Sequence, residues 1–212
     1  MIVGVAGAVG ILVDEGGSMG EAMDRWSSTT LLAYVFWHWP PVSADASNYE
    51  ADLVAFHASL VCAPPAGFLH SATFQVAGAP WLPQHRDCYE DWYVIRDWAA
   101  VGTLNTNAVA PAHTKSHDRV ARQAESGASG LYALRAGDEV PGGTAATWFT
   151  KPAGWSYADL ESALQACLDR GLTLWQRQML LSPAPEFCLR GDAAPGLAAS
   201  LHGSRVAYRA LR

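Results

Sequence analysis

From Leu31 onward, apolar and polar positions fall into short blocks whose periods alternate between that of a strand and that of a helix. Leu31 to Trp39 (LLAYVFWHW) is aromatic and β-branched in character and stops at Pro40-Pro41. That composition predicts a strand, since bulky rings pack well on a pleated surface and proline cannot donate to a ladder. Ser47 and Asn48 then offer an N-cap for a helix over Tyr49 to Val61, where Leu53, Phe56, Leu60 and Val61 follow helical spacing. Pro64-Pro65-Ala66-Gly67 ends it. Phe68 to Val76 alternates as a strand, the turn-rich Gly78 to Arg86 follows, and Tyr89 to Ile95 reads as a third strand. Asn105 to Ala110 and His117 to Ala124 supply a broken second helix, and Gly130 to Arg135 closes a β-α-β-β-α-β series.

The second half repeats most of this series. Ala146 to Pro152 (ATWFTKP) answers Tyr34 to Pro40 (YVFWHWP), and Tyr157 to Leu168 answers Tyr49 to Leu60. Leu174 to Leu180 answers Leu69 to Gln75, and Pro185 to Leu189 answers the Glu90 to Val94 strand. After Leu189 the match thins: Ala193 to Leu201 is expected as a short second helix and Arg205 to Leu211 as a last strand. Ala136 to Gly143, rich in glycine and holding Pro141, reads as the linker. The expected division is therefore a mobile extension over 1–30, a first copy over 31–136 and a second, shorter copy over 144–212. Within the extension, Met1 to Val13 is apolar but too short to span a bilayer, and Gly4, Gly7 and Gly10 do not make a dinucleotide fingerprint. Met19 and Met23 are expected as alternative starts.

In order and spacing of elements, Leu31 to Leu211 resembles the dimeric α/β-barrel group, whose ferredoxin-like sheets pack face to face as two subunits or two fused copies. The resemblance implies an α+β fold: two tandem ferredoxin-like (βαββαβ) copies packed sheet to sheet as an α/β barrel. It has a physical logic, because a sheet with helices on one face leaves the other bare, and a second copy covers it. It also implies a small-molecule site between the sheets, as used by cofactor-independent oxygenases, by polyketide cyclases and lyases, and by haem enzymes such as chlorite dismutases. The haem branch places a proximal His in the second copy, and this sequence has none between Ala145 and Ala199.

Composition narrows the classes. The net charge is −6, with 14 Lys and Arg scattered singly, so no basic stripe exists to neutralise nucleic-acid phosphates or anionic membranes. The four cysteines (Cys62, Cys88, Cys167, Cys188) lack metal-ligand spacing and read as buried free thiols of a cytoplasmic protein. No G-x-S-x-G, H-E-x-x-H or P-loop occurs, which removes the commonest hydrolase, zinc-protease and nucleotide-binding readings. Trp26, Trp98 and Trp155 lie at element ends, where an exposed aromatic patch would support a homodimer through an outer surface.

Strand alternation then selects candidate cavity residues. Ser71, Thr73 and Gln75 share a polar face whose counterpart carries Gln176 and Gln178; Tyr89, Asp91 and Tyr93 share a face whose counterpart holds Glu186 and Cys188. On the first strand Tyr34, Phe36 and His38 are placed inward against Trp148, with Trp37 and Trp39 as the rival face. The expected site sets His38, Asp91 and Glu186 as acid/base groups among the substrate-binding side chains Tyr34, Phe36, Thr73, Tyr93, Trp148, Gln176 and Gln178, with no metal and no cofactor. His57 reads as helix surface or a satisfied core position, and His113 with His117 as an incomplete metal pair. The expected function is a cofactor-independent enzyme of cyclase, lyase, isomerase or oxygenase type acting on a small organic substrate. A non-catalytic module binding or sensing a small molecule or haem is the alternative.

Overall fold

The structure, a computed structural model, describes residues 31–181, 183–192, 197 and 200–212. The expected N-terminal extension lies outside the described residues, as does most of the expected helix over 193–201. The chain runs β1 (Leu32–Trp39), α1 (Ala46–Cys62), β2 (Phe68–Ala77), β3 (Cys88–Ile95), α2 (Trp98–Asn107), α3 (Thr114–Gln123), β4 (Ser126–Ala136), β5 (Ala145–Phe149), α4 (Tyr157–Leu168), β6 (Thr173–Leu181), β7 (Phe187–Gly191) and β8 (Gly203–Ala210). The N-cap of α1 is Asp45, earlier than expected, because its carboxylate accepts from the amides of Ser47 and Asn48 and so satisfies two orphan donors of the first turn. The broken helix is two helices, α2 beginning at an Asp97 cap well before Asn105.

The strands close into one antiparallel barrel in the order β1-β3-β2-β8-β5-β7-β6-β4. Each half contributes four neighbours, β4-β1-β3-β2 and β8-β5-β7-β6, the order of a ferredoxin-like sheet. The halves join edge to edge twice, at β2–β8 and at β4–β6. Closure leaves no free edge among the described strands. Outside the barrel, α1 and α2 cover the first sheet and α4 the second, each over its own apolar core. No helix among the described residues is long and apolar enough to cross a membrane.

Side chains fill the barrel interior. Trp37, Trp92, Trp148 and Trp175 are all buried there with rings in contact, Trp37 and Trp148 meeting edge to face at 5.5 Å. Burying one indole removes about 200 Å² from water, about 5 kcal/mol at 25 cal/mol per Å². This core corrects the expected facing of several strands. Tyr34, Phe36 and His38 on β1, Thr73 on β2, and Asp91 and Tyr93 on β3 have the parity that faces the helices; Val35, Trp37, Phe74 and Trp92 face the interior. The polar face, expected to line the cavity, faces the helices, and the barrel takes up the bulkiest apolar set.

Candidate functional site

One acidic group does enter the barrel. Glu90, fully buried, accepts from Trp92 Nε1 (2.5 Å) and Arg190 Nη1 (3.0 Å) on one oxygen, and from Trp37 Nε1 (2.7 Å) and the Tyr208 hydroxyl (3.1 Å) on the other. Burial pushes its carboxyl up, while the Arg190 guanidinium and these hydrogen bonds oppose the rise. Two indoles and a guanidinium can only donate, so the set matches an ionised carboxylate. Arg190 lies over the Tyr208 ring at 3.9 Å and the Phe74 ring at 4.2 Å. This buried ion pair joins the two halves, with Arg190 Nη2 left without a hydrogen-bond partner among the described residues, and it occupies the space in which a substrate cavity was expected.

The second polar centre lies between the first sheet and α1. Asp91 projects from β3 toward the helix, fully buried, with His38 Nε2 from β1 at 3.2 Å from Oδ2 and His57 Nε2 from α1 at 3.3 Å from Oδ1. The Tyr93 hydroxyl donates to Oδ2 at 2.9 Å. Beyond each imidazole stands a hydroxyl: Tyr49 OH is 2.7 Å from His38 Nδ1, and Ser71 Oγ is 2.8 Å from His57 Nδ1. Stacking fixes both rings, His57 on Tyr93 at 5.1 Å and His38 on Tyr89 at 5.8 Å. Burial alone would push the Asp91 carboxyl up, but the His38 and His57 charges and contacts outweigh it and hold it well below the usual carboxylate range. The two imidazole N–H groups are near the carboxylate but poorly aligned with it, and Thr73 Oγ1, opposite Asp91 in the ladder, has no partner. The imidazoles straddle the carboxylate, one at each oxygen; no three His, Cys, Asp or Glu among the described residues are arranged to hold a metal.

The structure thus brings together His38, Asp91, Tyr93 and Thr73, with Tyr34 and Phe36 continuing an aromatic row along β1 (Phe36 to His38, 5.2 Å). It does not bring in the others. Trp148 faces the barrel and donates to Tyr208. Gln176 sits on the helix side of the second copy, accepting from Arg135 Nε at 2.7 Å, and Gln178 is exposed. Glu186 precedes β7, half-buried, where it accepts from the Lys151 amide. His57 and Tyr49, outside the expected site, join it from α1, and Ser71, on the polar face of β2, joins it through His57. A signal for two of them existed: Tyr49, Leu53, Phe56, His57 and Leu60 form the buried stripe of α1, so both polar residues lie on the apolar face. His113, read as half of a metal pair, is instead buried against Ser59, at 3.1 Å.

The two halves supply an internal control. Trp37 pairs with Glu90 and Trp148 with Cys188, all four facing the barrel, so the equivalent ladders place Phe149 where the first copy has His38 and Leu189 where it has Asp91. Around that spot the second copy is packed by Leu160, Leu164, Leu174 and Phe187. A half-open groove of about 690 Å³ lies where β1, β2 and β8 end, and none of His38, His57, Asp91 or Tyr93 lines it. Pro40 and Gln75, each two residues beyond His38 and Thr73, line it with Cys88, Tyr208 and Arg209.

No protein-family model and no curated protein matches the chain. Among solved structures, an anthrone oxidase-like protein is similar at 10% identity over 87% of this chain and 94% of its own, with a TM-score of 0.46. The chlorite dismutase of Candidatus Nitrospira defluvii is similar at 9% identity over 82% of each chain, with a TM-score of 0.43. A dimeric protein of unknown function and ferredoxin-like fold from Bacteroides fragilis NCTC 9343 covers 49% of this chain with 95% of its own, at 12% identity and a TM-score of 0.35. The fold is that of a tandem ferredoxin-like barrel. Within that architecture no single family is assigned, and these likenesses extend to the arrangement of elements and to nothing finer.

Proposed function

We propose that the chain is an enzyme acting on a small organic molecule by acid/base chemistry, with Asp91, His38 and His57 as the proton-handling group. The carrying observation is the contrast between copies. One helix layer folds over an apolar core of leucines and phenylalanines, while the other buries an ionised carboxylate between two imidazoles at the equivalent place. Burying a charge costs several kcal/mol before its partners offset it, and the fold does not require that cost, as the second copy demonstrates. Buried carboxylates shifted by specific charged partners, as Asp91 is, concentrate at reactive sites.

Asp91 stays ionised between the two imidazoles, and His38 or His57 accepts a proton in one step and returns it in another. The hydroxyls of Tyr49 and Ser71 carry the proton onward from each Nδ1. Tyr34, Phe36 and Tyr93 place aromatic rings on the same sheet face as the proton-handling group, and the groove at the strand ends, lined by other residues, is of a size that fits a small ligand. Glu186, Gln176, Gln178 and Trp148 fall outside this centre.

The test is a conversion screen of the full-length protein against enolisable ketones, phenols and simple esters in D2O, read by NMR and mass spectrometry. Asp91→Asn and His38→Gln should each lower the rate of whatever is converted by about 10²- to 10⁴-fold, the usual worth of a positioned acid or base. Activity within about threefold of wild type in Asp91→Asn would remove the centre from the mechanism.

A further inference from the structure

The polar centre is a relay with two hydroxyl ends that differ in access. At one end Tyr49 and His38 are 0% and 1% exposed, so the Tyr49 hydroxyl cannot meet a substrate. At the other end Ser71 is only partly buried, and it is the one member of the relay that is not buried. The order of groups there is hydroxyl, imidazole, carboxylate: Ser71 Oγ to His57 Nδ1 at 2.8 Å, then His57 Nε2 to Asp91 Oδ1 at 3.3 Å. Tyr93 holds the carboxylate by its hydroxyl and His57 by stacking, so neither rotates away.

We infer that Ser71 is a nucleophile and that this chain transfers the acyl group of a small carboxylic ester to water. The inference rests on the reading of Asp91 and His57 as a proton-handling pair. The triad of hydroxyl, imidazole and carboxylate recurs on unrelated folds and is recognised by geometry and role, so the lack of a G-x-S-x-G elbow around Ser71 does not count against it. Here Nδ1 is within hydrogen-bond distance of the hydroxyl, and Nε2 faces the carboxylate at 3.3 Å without the alignment of a hydrogen bond, a contact of the kind that tightens when substrate binds.

Ser71 Oγ bonds to the ester carbonyl carbon as its proton passes to His57 Nδ1 and the carbonyl electron pair moves onto oxygen. On collapse the bond to the alkoxy oxygen breaks, and that oxygen leaves as the alcohol with the proton from His57. Water then attacks the acyl-serine, its proton going to His57 Nδ1 and from there to Ser71 Oγ, which releases the acid and restores the hydroxyl. Asp91 gives up no proton in either half; it orients His57 and stabilises the imidazolium.

The experiment treats the full-length protein at pH 8 with an alkyl fluorophosphonate and, separately, with 4-nitrophenyl acetate, and reads intact mass, the modified peptide and nitrophenolate release. The expected result is one adduct per chain on the peptide holding Ser71, absent in Ser71→Ala, a small change at a partly exposed strand position that preserves the fold. His57→Gln should slow labelling by about 100-fold or more. No adduct at Ser71 in the wild type overturns the inference and leaves the acid/base reading to the conversion screen. An adduct that forms at the wild-type rate in Asp91→Asn overturns both, since the serine would then react without the relay.

Discussion

At the scale of single residues, Asp91 and Glu90 are neighbours on β3 that point to opposite faces and meet opposite fates. Asp91 is held well below its ordinary range in the folded chain, whereas in the unfolded chain it titrates near its usual value of about 4. Its contribution to stability is therefore complete above about pH 4 and is lost as the pH falls below that, because the unfolded chain then takes up a proton that the folded one refuses. Urea titrations between pH 2.5 and 7 should show wild type losing stability below pH 4 more steeply than Asp91→Asn; parallel profiles would contradict the assignment. Glu90 should show a different signature. Glu90→Gln and Arg190→Met should each cost about 3–5 kcal/mol, and the pair together clearly less than their sum, because each single change strands a buried partner. A full double-mutant cycle in urea measures that coupling, and additive costs would contradict the ion pair.

At the scale of elements, the decisive variable is strand parity. The repeat is visible in the sequence, but matching Tyr34 with Ala146 sets β1 one residue out against β5; the ladders instead match Trp37 with Trp148. A slip of one residue moves every side chain to the other face, so that match points Tyr34, Phe36 and His38 into the barrel and Trp37 out of it, the reverse of what the ladders show. The loops carry their own requirements. Gly143, at φ +82°, brings its α-carbon so near the Gly191 backbone that an added Cβ would lie 2.3 Å from it, whereas Gly154 has the same φ and open space. Gly154→Ala should therefore cost only the left-handed backbone penalty, about 1–2 kcal/mol, and Gly143→Ala distinctly more, since the close approach joins the start of β5 to the end of β7. Thermal unfolding of the two variants compares them directly; equal costs would show that the loop yields.

At the scale of the molecule, joining β2 to β8 and β4 to β6 lets one chain cover both bare sheet faces. Of the tryptophans expected to form an outer patch, Trp26 lies outside the described residues and Trp155 packs against the second helix layer, which leaves Trp98, 49% exposed at the start of α2. A homodimer through an outer surface remains an expectation that light scattering at micromolar concentration decides: a mass of 22.7 kDa refutes it.

The sequence by itself determined the kinds and order of the described elements and the duplication, because propensity, capping and turn chemistry act over a few neighbouring residues; several bounds, such as the starts of α2 and β4, lie elsewhere. It also carried His38, Asp91 and Tyr93 as members of one polar site. What it could not carry was the side of the sheet on which that site lies. A polar stripe on a strand looks the same whether it faces a second sheet or a helix, and only closure of the barrel settled the matter, by filling its interior with four indoles and the Glu90–Arg190 pair. The recruitment of His57 and Ser71 was likewise a tertiary event, since α1 had to dock on β2 before an imidazole 14 residues away in sequence could meet that hydroxyl.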